Sequence, residues 1–133
     1  MGTKNRIFLG IITSAILHNI RNRFNSKNLF LNKKKAKILK QTRIDESKYI
    51  YENNFQIILD NTLATCQYKE NGLINFISKV ENRYILYSIS TNNYYNEVAT
   101  IFFTSKRQLR KCQLTIDFFS DKFKDDFLND LKS

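Results

Sequence analysis

The sequence predicts an α+β protein, and three observations carry that expectation. In the first half of the chain apolar residues recur at spacings of three and four, whereas from Leu73 they recur with a period of two. Short polar turns separate the two-periodic segments, as in antiparallel hairpins. The closing stretch returns to helical spacing, with Phe123, Phe127 and Leu131 at i, i+4 and i+8. The expected architecture is an N-terminal amphipathic helix, a basic helical segment, a four-stranded antiparallel β-meander and a short C-terminal helix packing on the sheet.

Residues 4–24 divide cleanly on a helical projection. Arg6, Gly10, Thr13, Ser14, His18 and Arg21 form a polar stripe, opposite a face that carries Phe8, Ile12, Ile16 and Ile20. Such a face covers a core, docks on a partner or lies at a lipid interface, so these four apolar residues are candidate partner contacts. Lys4 and Arg6 ahead of the apolar run 7–17 imitate a signal peptide, but no small-residue cleavage site follows the run. The run is too short to span a bilayer as a helix. The Met-Gly start lacks the Ser or Thr wanted at position 6 for myristoylation, where Arg6 stands.

Residues 25–32, rich in Asn, read as a loop. From Lys33 the basic run continues as helix, because Lys, Ala, Ile, Leu and Gln are all acceptable there, with only Ile38 and Leu39 as an apolar edge. Ile44, Tyr51, Phe55, Ile58 and Leu59 favour helix for 45–59, with strand over 62–69. A hairpin around Asp60-Asn61 is the rival reading for 55–69. The meander is assigned to "LINFISKV", "YILYSIS", "EVATIFFTS" and "KCQLTIDFFS". In the last of these Cys112, Leu114, Ile116 and Phe118 would share one face, and Gln113, Thr115 and Asp117 a wet one.

Charge divides the chain as its periodicity does. Residues 1–48 hold twelve Lys and Arg against two acids, while residues 49–133 hold ten of each. The expectation is a single domain over residues 1–133, with a basic helical arm at 1–48 and a charge-neutral body at 49–133. Phe, Tyr, Met, Ile, Asn and Lys make up 66 of the 133 residues, the mark of an A/T-rich genome. Mutational drift therefore supplies part of the basicity, but it does not explain its concentration in one third of the chain. A cationic arm of this kind suits a polyanion. Its candidate contacts are Arg21, Arg23 and Lys27, then Lys33, Lys34, Lys35, Lys37, Lys40 and Arg43. Tyr94 and Tyr95, set among asparagines, are expected to be exposed and to touch a partner, whereas Tyr84 and Tyr87 are expected in the core.

Catalytic signals are weak. His18 is the sole histidine, Cys66 and Cys112 lie far apart in sequence with no metal-ligand spacing, and the glycines stand singly at 2, 10 and 72. No nucleophile elbow or phosphate-binding loop is present. Asp121 and Asp125 are interleaved with Lys122 and Lys124, which reads as a solvated helix face rather than a metal site. No metal, cofactor or small-molecule substrate is expected. The reading is a non-enzymatic binding or scaffold protein whose basic module meets RNA or a ribonucleoprotein. The alternative is a structural subunit of a membrane-associated assembly, docked through the first helix with its cations at an anionic membrane surface. Either role implies a larger assembly in an intracellular or organellar setting.

Overall fold

Seven strands form one mixed sheet in the computed structural model, which describes residues 5–20, 26–51, 54–66, 74–91 and 95–132. In chain order the elements are β1 (Arg6–Ile11), α1 (Ser14–Leu17), β2 (Asn28–Asn32), α2 (Lys33–Thr42), α3 (Ile44–Tyr51), α4 (Phe55–Asp60) and β3 (Thr62–Cys66). They continue with β4 (Asn75–Val80), β5 (Arg83–Thr91), β6 (Asn96–Thr104), α5 (Lys106–Lys111), β7 (Asp117–Phe118) and α6 (Asp121–Lys132). The strand order is β1-β2-β6-β5-β4-β3-β7. Every pairing is antiparallel except the short parallel one between β2 and β6.

The α+β class fits, but the four-stranded meander does not. β3, β4, β5 and β6 are consecutive antiparallel neighbours, but they lie inside a seven-stranded mixed sheet that β1, β2 and β7 extend on either side. Glu81 and Asn82 take left-handed φ values of 54° and 64°, the geometry of a tight two-residue turn between β4 and β5. The N-terminal amphipathic helix is replaced by β1 and a single turn of helix. Residues 28–32 are strand, not loop, because Leu29 and Leu31 point into the core while Phe30 between them points away. The connection between the third and fourth expected strands forms α5, and the stretch read as the fourth strand holds the last residue of α5, a 3₁₀ turn at Gln113–Thr115 and the two-residue β7. Ser105 and Gln108 close a capping box that starts α5 directly after β6. Leu114 is accordingly fully exposed rather than sharing a buried face with Cys112. The Asp60-Asn61 hairpin is absent, since α4 runs to Asp60 and hands over directly to β3.

Two apolar clusters lie on opposite faces of the sheet. The first gathers Ile12 and Ile16, Leu29 and Leu31 of β2, Leu39 of α2, Phe55 and Ile58 of α4, and Tyr87 of β5. Tyr87 is fully buried, stacks on Phe76 at 5.4 Å and shares a 2.7 Å hydrogen bond with the Thr62 hydroxyl. The second cluster joins Leu63, Cys66, Ile77 and Tyr84 to Leu109 of α5 and to Phe127 and Leu131 of α6. Helices therefore cover both faces, which corrects the expectation of one wet face. Among the described residues the cover on the second side is partial, because no member of that cluster belongs to β1 or β2.

Side chains close the sheet's edges. On β1 the Gln56 amide bonds Ile11 as a strand would, accepting from its N–H at 2.7 Å and donating to its carbonyl at 2.9 Å. Gly10 permits this approach, since a Cβ there would stand 2.5 Å from Gln56 Oε1. Beyond its two residue pairs with β2, β6 has no strand on that side among the described residues. Three side chains from α2, α3 and the residue between them take over. Lys35 donates to the Ala99 carbonyl at 3.0 Å, Arg43 to the Ile101 carbonyl, and Glu46 accepts from the Phe103 N–H at 3.1 Å. Ala99, Ile101 and Phe103 alternate along β6, so their outward backbone groups form the row that a neighbouring strand would use. No described helix is long and apolar enough to cross a membrane.

Candidate nucleic-acid interface

The uncovered part of the sheet begins with Arg6. Ile7 and Leu9 of β1 face the first cluster, so Arg6 and Phe8 face the other way. Phe8 is paired with Phe30 of β2, and the two rings meet edge to face at 5.8 Å. Phe30 in turn meets Tyr95, just ahead of β6, at 6.3 Å. The Arg6 guanidinium lies 3.7 Å from the centre of the Tyr95 ring and 5.2 Å from that of Phe30. Stacking of this kind orients a guanidinium without neutralising it. No ion pair to Arg6 occurs among the described residues, and its Nε is buried without a hydrogen bond. Phe8 remains 51% exposed. The result is an aromatic surface with one cation laid across it, with Glu97 of β6 in register with Phe30.

Lysines flank this surface where β2 passes into α2. Asn32, paired with Arg6, caps α2 by accepting from the backbone N–H groups of Lys34 and Lys35. Lys33, Lys37 and Lys40 fall at i, i+4 and i+7 on one exposed stripe, Lys34 beside it, while Ala36 and Leu39 turn inward. The helix carries no acid, and three of its lysines occupy the first turn. Cations are disfavoured there by the helix dipole, by roughly 0.3–1 kcal/mol each at the surface. Lys27 is exposed just before β2.

The predicted contacts therefore separate into groups. Lys33, Lys34, Lys37 and Lys40 are exposed on α2, and Lys35 and Arg43 bond the edge of β6. Arg43 also lies 5.4 Å from the Phe102 ring, beside a shallow groove of about 230 Å³ between α2 and β6. Arg21, Arg23 and Tyr94 lie outside the described residues. Of the expected docking face, Ile12 and Ile16 are core residues and Ile20 packs against them. Phe8 alone of the four stands out from the sheet. Tyr84 and Tyr87 are buried, as a core role requires. Sequence reasoning missed Arg6 and Phe8 as a pair, because a helix puts them on different faces and a strand on one. The alternation in "RIFL" was the available signal.

The residues with catalytic potential are arranged otherwise. His18 is exposed at the end of α1, and Asp117 is exposed on β7. Cys66 and Cys112, though far apart in sequence, hydrogen-bond to each other inside the second cluster. That bond, with burial, pushes the Cys66 thiol up, and the same bond holds Cys112 down at about 7. A second polar cluster was not foreseen. Asp130 of α6 accepts from the Tyr84 hydroxyl at 2.5 Å and from Lys79 at 3.2 Å, with Lys106 at 3.6 Å. Burial and the hydrogen bond to Asp130 raise the Tyr84 phenol, while the Tyr84 hydrogen bond lowers the Asp130 carboxyl. These opposed shifts fix the proton on tyrosine and the charge on aspartate, which suits a structural tie. The cluster borders a cavity of about 240 Å³ shared with Asp60, Asn61 and Asp126. No group of three or more metal-ligating side chains occurs among the described residues. In comparisons with known proteins, no family model matches the chain, and no curated protein or solved structure is significantly similar to it.

Proposed function

We propose that this is a binding protein for a polyanion, and that its ligand is RNA or a ribonucleoprotein. The observation that carries the reading is the acid-free α2, whose exposed lysines stand at the end of β2 beside the stacked Arg6. Phosphates laid along that row would offset the repulsion among the lysines and their conflict with the helix dipole. The protein binds rather than catalyses. The membrane-docking alternative loses its main support, since β1 and the core take up most of the apolar face it needed.

The test is fluorescence anisotropy with a labelled RNA oligonucleotide, titrated between 50 and 200 mM salt, roughly the range over which phosphate contacts show. Replacing Lys33, Lys34 and Lys37 by Gln should weaken binding and flatten the log–log salt slope by about 2, at about 0.7 per phosphate contact on a single strand. Lys35 is left intact because its loss would also open the edge of β6. An unchanged slope would remove α2 as the binding element. Binding to phosphatidylserine vesicles without binding to RNA would favour the membrane alternative.

A further inference from the structure

We infer that the outer face of β1 and β2 takes unpaired bases, so that the RNA bound is single-stranded, with one base lying on Phe8 and the adjoining phosphate at Arg6. This rests on the RNA reading above and goes beyond it, because lysines alone do not distinguish a single strand from a duplex.

One aromatic ring on this face is left exposed in a way that folding does not explain. Phe8 is 51% exposed on a strand whose neighbours Ile7 and Leu9 are turned into the core. Its edge-to-face contact with Phe30 occupies at most one face of either ring. A planar base therefore has an open aromatic face on which to lie. The second observation is the charge beside it. Arg6 is two residues from Phe8 on the same side of β1, held by stacking on Tyr95 and Phe30 rather than by an acid among the described residues. Adjacent side chains on one face of a strand lie about 7 Å apart. That spacing matches the reach from a nucleobase to its own or the next phosphate.

Charge complementarity also decides against other occupants. An apolar protein segment would cover Phe8 but would bury the Arg6 charge at considerable cost. A second copy of this face would bring two such arginines together. Duplex RNA keeps its bases stacked inside and presents mainly sugars and phosphates, for which a sheet-borne phenyl ring offers little. A single strand satisfies the ring and the guanidinium together, and the α2 lysines continue its phosphate track.

The experiment compares Phe8→Ala and Phe8→Trp with wild type, using a labelled twelve-nucleotide oligouridine and the same strand annealed to oligoadenosine. Phe8→Ala should weaken single-strand binding about tenfold, as expected for the loss of one stacked base, with the salt slope unchanged. Phe8→Trp should retain or improve it, and wild type should prefer the single strand to the duplex. Circular dichroism of each variant confirms that the half-exposed position tolerates the change. Equal affinity of wild type and Phe8→Ala for the single strand would overturn the stacking site and leave the lysine track standing. Absence of RNA binding by wild type would remove both readings. A duplex preference, or binding to phosphatidylserine vesicles with no affinity for oligouridine, would overturn the single-strand assignment.

Discussion

Replacing Glu46 by Ala tests the side-chain edge of β6, because that carboxylate holds the Phe103 amide where no strand does. Glu46 is 8% exposed, so the bond is made largely out of water. A hydrogen bond to a charged group contributes about 1.5–3 kcal/mol. Phe103 is only partly buried, so water recovers some of the loss and about 2 kcal/mol is expected. For a chain of this size that corresponds to a fall in Tm of about 8 °C. Glu46→Gln keeps an acceptor and should lose less than about 1 kcal/mol. The neighbouring Asp45 serves as a control. Its ion pairs with Lys48 at 3.8 Å and Arg83 at 3.7 Å are more than half exposed, so Asp45→Ala should stay within about 0.5 kcal/mol of wild type. Urea unfolding followed by circular dichroism gives the energies, and amide exchange at Phe103 gives the site. Glu46→Ala matching Asp45→Ala, with Phe103 exchange unaltered, would refute the edge argument.

Other outcomes follow from the same geometry. Ile16→Ala should cost about 2–5 kcal/mol in urea unfolding, since Ile16 is fully enclosed in the first cluster, and Ile16→Asp should abolish folding; a folded Ile16→Asp variant would return the residue to a docking surface. Asp130 has a lowered folded pKa, chiefly through Tyr84, so its stabilising effect is present above its ordinary value of about 3.9 and fades as pH falls through the lowered value. Asp130→Asn should therefore lose stability at neutral pH and show a shallower acid limb, and parallel pH–stability curves would exclude this tie. Oxidised glutathione should convert the Cys66 and Cys112 thiols to an intramolecular disulfide with release of two reduced glutathiones, because the two interact within the second cluster. Mass spectrometry after alkylation reads the loss of two labels, and full labelling of both cysteines would count against their contact.

The α+β class was legible because the two periodicities are real, but the sheet's extent was not. Residues 6–11 satisfy a helical projection and a strand alternation about equally well. The choice falls to a partner twenty residues further on, where Leu29 and Leu31 pair across from Gly10 and Ile7. Local propensity does not encode such pairing, and the asparagines at 28 and 32 disguised the partner as a loop. The error at 105–118 was different in kind. Ser105 and Gln108 spell a capping box, so the start of α5 could have been read directly. In the candidate interface, the lysines of α2 were visible as a run. Lys35 and Arg43 look no different from their neighbours until β6 arrives beside them. Arg6 and Phe8 became a pair only once the helix was replaced by a strand.

The proposed RNA site is tested most directly by mapping which peptides an RNA crosslinks. Ultraviolet crosslinking of a 4-thiouridine oligonucleotide, followed by trypsin digestion and mass spectrometry, reports this by peptide. Crosslinks are expected in the peptides spanning 7–21 and 28–33, which carry Phe8 and Phe30, with their yield reduced in Phe8→Ala. Crosslinks confined to the α6 peptides, or spread evenly along the chain, would contradict that site.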